Sequence, residues 1–466
     1  MLFSSIPFLY YFLPVVLIAY YLVPGSVKNM VLLLASLVFY GWGEPVYVFL
    51  MIGTIGLGYV FGILIEKFRD TPWAKVCMIS SVAISLGLLG YFKYANFFLT
   101  NFSAATGISL PLLKVALPIG ISFYTFQLVS YIIDVYWGKV AAQKNFISLA
   151  TYITMFPQLI AGPIVRYSDV EKQLKHREIN VEKIAYGIRR FALGLGKKIL
   201  IANVMGEFCA AFKAVDEKSI VFYWCYAIAV SLQIYFDFSG YSDMAIGLGS
   251  MLGFQFIENF NYPFISKSAT EFWRRWHMSL GTWFRDYVYI PLGGSRCSRP
   301  RHLLNVFIVW MLTGFWHGAE WTFIVWGLYF GILLIIEKTF LLKWLEKTKV
   351  FSHIYILILV IFSFVLFDSA GLWDALSVIG SMLGVGGIPF MTEVTGYYVG
   401  SYLVMFVIAI VGATPLPKIL VSKAVERPGI QKVTAVLEPV VMMVILVVAT
   451  GYLVDGSFNP FLYFRF

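Results

Sequence analysis

Val46-Tyr-Val-Phe-Leu-Met-Ile-Gly-Thr-Ile-Gly-Leu-Gly-Tyr-Val-Phe-Gly-Ile-Leu-Ile65 is a run of twenty residues without a charge. As a helix rising about 1.5 Å per residue it spans about 30 Å, the depth of a bilayer's hydrocarbon core. Lipid offers backbone N–H and C=O groups no partner, so such a run must satisfy them internally as a helix. Apolar runs recur at 6–23, 30–40, 76–91, 116–137, 219–238, 244–256, 321–336, 354–367, 397–411 and 440–454. The pattern predicts an all-α polytopic membrane protein of about a dozen transmembrane helices, with re-entrant and interfacial helices besides. A β-barrel would need alternating strands of about ten residues, which unbroken apolar runs contradict.

Composition agrees. Of 466 residues, 60% are hydrophobic and 13% charged, against about 25% charged in soluble proteins; mean hydropathy is +0.80. The net charge of +10 reads as the cytoplasmic excess of Lys and Arg that orients membrane proteins, not as a nucleic-acid surface. Residues 166–198, 338–349 and 418–432 are basic, while 368–396 contain acids and no Lys or Arg. Basic, acidic, basic along the last third reads as inside, outside, inside. The last run then exits, and 455–466 form an exterior tail. Residues 146–164 are apolar but broken by Pro157 and Gly162-Pro163, which suggests a half-buried or re-entrant segment. Residues 93–114 read as irregular or interfacial. With no repeat and no soluble stretch, 1–466 reads as a single membrane domain. Nothing at the N-terminus resembles a cleaved signal, and the four cysteines have no zinc spacing.

The chemistry-bearing residues concentrate between Glu271 and His317. Glu271-Phe-Trp-Arg-Arg-Trp-His277 opens this stretch and Gly314-Phe-Trp-His317-Gly closes it. His317 lies among Trp310, Phe315, Trp316 and Trp321. Apolar surroundings disfavour an imidazolium, so His317 suits a neutral base; equally, it reads as a structural histidine bonded to a carbonyl. On a helix, Trp273 and Arg274 share the face of His277, an arrangement that also fits an interfacial anchor. Gln233, Asp237, Ser239, Tyr241, Ser242 and Asp243, followed by Asn259 and Asn261, read either as a cavity lining or as a turn. Gly247-Leu-Gly249 suits close helix packing. The His-x4-Asp pattern of soluble acyltransferases is missing: the fifth residue after His277 is Thr282, and after His317 Thr322. There is no P-loop, His-Glu-x-x-His or nucleophile elbow. The tail Phe458-Asn-Pro-Phe-Leu-Tyr463-Phe-Arg-Phe466 is too aromatic for free solvation. It suits a lipid interface, a partner, or a cavity in this same chain. Tyr463 carries a phenol, a feasible acyl acceptor when a base removes its proton.

These motifs resemble the membrane-bound O-acyltransferase family. The resemblance is carried by Glu271 to Asp286, Gly314 to Gly318, Phe236-Asp-Phe-Ser-Gly-Tyr-Ser-Asp243, Asn259-Phe-Asn-Tyr-Pro263, and Phe156-Pro157 through Ala161-Gly-Pro-Ile-Val-Arg166. Within the family, Phe39-Tyr-Gly-Trp42 and the Phe-rich tail point to the alginate O-acetyltransferase type. The teichoic acid D-alanyl transferase type is similar through the centre and fits less well at both ends. The resemblance implies a multi-pass bacterial cell-membrane enzyme that moves an acetyl group from cytoplasmic acetyl-CoA to the exterior, for O-acetylation of a polysaccharide. His317 matches the catalytic histidine and His277 the auxiliary one; Tyr463 falls on a proposed acyl relay. Trp273, Arg274, Asp237, Asn261 and Trp316 are the candidate substrate-binding residues. The implied partners are membrane lipid, an exported SGNH-type transferase and, through it, the polysaccharide; acetyl-CoA is a substrate, and no metal or bound cofactor is implied. A polysaccharide transporter is the alternative that hydropathy leaves open.

Overall fold

The computed structural model describes residues 1–455, and every regular element among them is a helix. The aromatic tail with Tyr463 lies outside the described residues. By compactness the chain divides into two units, residues 1–191 with 244–257, and residues 192–243 with 258 onward.

The first unit contains α1 (Pro7–Leu22), α2 (Lys28–Gly41), α3 (Tyr47–Lys67), α4 (Pro72–Thr106), α5 (Ile121–Tyr136), α6 (Phe146–Thr154) and most of α7 (Val181–Gly196). Its packing depends on small residues. A Cβ on Gly62 of α3 would fall 2.7 Å from the Tyr131 hydroxyl of α5, so only glycine permits that approach. Thirteen of the sixteen residues of α5 are buried, as is all of 148–165. These two segments are enclosed by protein, the setting in which a helix broken at Pro157 is tolerated at membrane depth. The segment expected to be irregular from Lys93 is instead helical to Thr106, because α4 continues through a wider π-type turn at Gly90–Tyr94. Lys93 extends from that turn to the Ser122 hydroxyl, 3.4 Å away.

The second unit contains most of α8 (Ile220–Met251), then α9 (Ala269–Arg275), α10 (Met278–Phe284), α11 (Arg299–His317), α12 (Trp321–Lys347), α13 (Val350–Asp368), α14 (Glu393–Gly412) and α15 (Gly429–Val454). The polar run 237–243 lies in the middle of α8 and is no turn. Every residue from 229 to 254 is buried, so α8 meets protein and not lipid over this length, and both its aspartates have protein partners. Asp237 pairs with Lys198 and Asp243 with Lys197, the latter at 2.6 Å. Both lysines follow directly on α7. A Cβ on Gly240 would lie 2.7 Å from the Gly194 carbonyl, and this contact sets the ion pairs on either side of the crossing. The end of α8, within the first unit, meets α7 in the same way: a Cβ on Gly247 would lie 2.6 Å from the Gly187 carbonyl.

Among the described residues seven helices are long and apolar enough to cross a membrane: α3, α4, α8 and α12 to α15. The polytopic all-helical architecture is as the sequence predicts. The expected dozen spans compares with these seven, because α1, α2 and Leu372–Met382 are shorter apolar helices and α5 and α6 are buried within the protein.

Candidate active site

The site is built entirely within the second unit. The Ser268 hydroxyl caps α9 by accepting from the Glu271 amide at 3.0 Å. A buried carboxylate on α12 completes this start. Glu337 accepts from the amides of Ala269 (2.6 Å) and Thr270 (2.9 Å), from the Thr270 hydroxyl (2.7 Å) and from the Tyr355 hydroxyl (3.4 Å). Negative charge at a helix start is favoured by the exposed amides and their dipoles. This one ties the segment that carries His277 to α12 and α13.

His277 joins α9 to α10 in a left-handed conformation, φ 45°, ψ 51°, which costs a non-glycine residue about 1–3 kcal/mol. Backbone bonds on both sides hold it there: Asn261 donates to the Arg275 carbonyl at 2.9 Å, and Met278 to the Asn259 carbonyl at 3.0 Å. The Asn259 side chain then orients the imidazole. Its Oδ1 accepts from the Ser279 amide (3.2 Å) and hydroxyl (2.9 Å), and its Nδ2 donates to the Ser242 hydroxyl on α8 (3.0 Å). A backbone amide can only donate, so it fixes which end of the carboxamide is oxygen. That oxygen lies 3.1 Å from His277 Nδ1. Nδ1 therefore carries the proton, and in the neutral ring Nε2 holds the lone pair. Phe238 of α8 packs edge-on to the imidazole, ring centres 4.7 Å apart.

Burial pushes the His277 imidazole down to about 3 from its ordinary 6.5. The unfolded chain takes up a proton below about pH 6.5 and the folded chain does not until about pH 3, so stability falls as pH falls through that window, by up to about 1.4 kcal/mol per pH unit. Thermal melting of detergent-purified protein at pH 7 and pH 5 should show this loss, and His277→Gln should flatten it. An equal acid slope in that variant would assign the loss to other groups.

His317 is the last residue of α11. α11 and α12 touch backbone to backbone: a Cβ on Gly314 would fall 2.9 Å from the Gly327 Cα. That approach brings Trp326 of α12 to His317, ring centres 5.0 Å apart; Trp316 stands at 5.0 Å and Phe367 of α13 at 5.6 Å. The two imidazoles, forty positions apart in sequence, have ring centres 6.4 Å apart, and Trp316 lies 6.1 Å from His277. His277 and His317 are 1% and 4% exposed, so both work out of bulk water. Among the described residues, no three His, Cys, Asp or Glu side chains converge on a metal position.

Of the candidates from sequence, the structure thus brings together His277, His317 and Trp316. Trp273 stands one ring further out, 5.5 Å from Trp326. Asp237 precedes the Phe238 that packs on His277, but its carboxylate meets Lys198. Asn261 is exposed and contributes backbone bonds; Asn259, two residues earlier, holds the imidazole. Arg274 is exposed, and its positive charge acts on Lys338. Asn259 was read from sequence only as part of a cavity lining or turn, and Trp326 and Glu337 were not singled out. The one available signal was a lone acid, Glu337, closing the apolar run 321–336.

The sequence matches the MBOAT, membrane-bound O-acyltransferase, family over residues 139–372. It is 38% identical to a protein described as probable alginate O-acetylase AlgI of Azotobacter vinelandii, over 100% of both chains. It is 33% identical to a peptidoglycan O-acetyltransferase of Helicobacter pylori, over 83% of this chain and 81% of the relative. It is also 33% identical to a teichoic acid D-alanyltransferase of Bacillus subtilis, over 50% of this chain and 61% of the relative. The motif quoted from 156 to 166, the polar run of α8 and both histidines fall inside the matched region. With two buried histidines facing one another in a helical membrane protein, and with full-length similarity to a member, the chain belongs to the membrane-bound O-acyltransferase family of multi-pass bacterial membrane enzymes.

Proposed function

We propose that the protein transfers an acetyl group from cytoplasmic acetyl-CoA toward the exterior for O-acetylation of a cell-envelope or extracellular polysaccharide. The observation that carries this reading is the pair His277 and His317, with ring centres 6.4 Å apart in an aromatic, buried setting. The full-length similarity to an alginate O-acetylase, and the similarity to a peptidoglycan O-acetyltransferase, favour acetyl over D-alanyl, since the D-alanyltransferase aligns with half of this chain.

In this reading His317 is the general base. It takes the proton of the accepting hydroxyl as the oxygen attacks the thioester carbonyl; the thiolate leaves and is protonated by the imidazolium. His277, with Nδ1–H held on Asn259, presents Nε2 to the same space and assists. The accepting hydroxyl is that of Tyr463, whose acyl-phenol remains an activated ester, able to pass the group to an exported SGNH-type partner and so to the polymer.

Purified full-length protein incubated with radiolabelled acetyl-CoA tests this. Label should appear on a Tyr463 peptide, with little left in Tyr463→Phe. Polysaccharide acetylation in the presence of the partner with Tyr463 never labelled would remove the relay and leave the transferase. No transfer from acetyl-CoA, alongside transfer from a D-alanyl carrier, would replace the acyl group.

A further inference from the structure

The geometry points to a phosphate-binding site made by Arg274, Lys338 and His302, which holds the phosphates of the acyl donor at the cytoplasmic edge of the second unit. This deepens the proposed function and rests on its reading that the donor carries phosphate.

Arg274 of α9 and Lys338 of α12 stand close enough to repel one another. Lys338 Nζ lies 3.4 Å from His302 Nε2 at the start of α11. An ammonium can only donate, so Nε2 accepts, and His302 Nδ1 carries a proton as a further donor. The Tyr289 ring backs the group, 6.0 Å from Lys338 Nζ and 6.1 Å from the His302 ring. Three helices thus bring cationic and donor groups to one place.

The neighbouring acids are engaged elsewhere. Glu271, on the same helix as Arg274, pairs with Arg275 at 2.9 Å and accepts from the Lys267 amide. Glu337, next to Lys338 in sequence, is buried and spent on the start of α9. Among the described residues neither Arg274 nor Lys338 has a carboxylate partner. Two cations held together without an acid are destabilised by their mutual repulsion, and an anion between them reverses its sign. Guanidinium and ammonium together suit a phosphate oxygen cluster, the first through its planar fork and the second as a point charge.

Position supports the donor as the source of that phosphate. Arg274 is one residue from Trp273, whose ring meets Trp326, the ring against His317. Lys338 opens the basic segment 338–349, which charge asymmetry places in the cytoplasm. An anionic lipid headgroup offers the same chemistry, and the test separates the two.

Full-length protein in neutral detergent is titrated with radiolabelled CoA, which carries the phosphates and no acyl group, so binding is scored without transfer. Wild type should bind, more weakly as salt rises. Arg274→Gln/Lys338→Gln should weaken binding about tenfold or more for each cation lost. Lys347→Gln/Lys349→Gln removes the same charge from the same segment and should stay within about twofold of wild type on the same scale. Equal weakening by both double variants, or none by either, overturns the site. So does loss of retained phosphatidylglycerol by Arg274→Gln/Lys338→Gln in mixed nanodiscs with CoA binding unchanged, since the cations then hold lipid. CoA binding that depends on Arg274 and Lys338 in a wild type unable to transfer acetyl would keep the site and remove the proposed donor.

Discussion

His317→Gln should lower the rate of acetyl transfer about 10²- to 10⁴-fold, the range general bases contribute, with little change in melting temperature. Glutamine approximates the length of imidazole and keeps a hydrogen-bonding end, so the box formed by Trp316, Trp326 and Phe367 stays filled while the titratable nitrogen is lost. The direct measurement is initial-rate transfer from acetyl-CoA by purified variant, with a thermal melt on the same sample. A rate within tenfold of wild type would sink the assignment of His317 as base. A collapse of both rate and melting temperature would make His317 a packing residue first.

A second large effect is expected at the other end of the polar array, on stability. Asp237→Ala leaves Lys198 buried (3% exposed) without its counter-charge, which should destabilise the protein by about 3–5 kcal/mol. Desolvating two charges offsets most of their mutual attraction, so Lys198→Met/Asp237→Leu should recover most of that loss. Denaturant unfolding of the two variants in detergent gives both numbers. The double variant also separates two roles for Asp237. If its carboxylate only secures α8 against the segment after α7, transfer activity returns with stability. If it binds substrate, stability returns and activity does not.

Much of this was legible in sequence because hydropathy and residue chemistry are local. The run from 46 to 65 is α3 within two residues at each end, and both histidine motifs announced themselves by placing imidazole among tryptophans. Other features depend on contacts far along the chain. Hydropathy reports that a segment avoids water; it cannot say whether lipid or protein replaces the water, so α5 reads as a span although protein encloses it. The polar run 233–243 could not be told from a turn, because Ser, Gly and Asp disfavour helix in water but are tolerated where ion pairs and close packing hold them. Asn259 and Asn261 carry the same amide two positions apart. Which one reaches His277 is decided by backbone pairing with Arg275 and Met278, and neither residue type nor spacing encodes that. Glu337 was passed over for the same reason: its role is set by the helix start it meets, about seventy residues earlier in the chain.

The two ion pairs between the residues after α7 and the core of α8 have an electrical consequence. A bacterial membrane carries a standing voltage, and a single unpaired charge moved across it does work of about 2.3 kcal/mol per 100 mV. Lys197 with Asp243 and Lys198 with Asp237 each sum to zero, so the central polar girdle of the second unit presents dipoles to the field and no net charge. A joint shift of α8 and the lysine-bearing segment after α7 would then couple only weakly to voltage, and the geometry around His277, anchored to α8 through Ser242 and Phe238, would hold as the cell's energisation rises and falls.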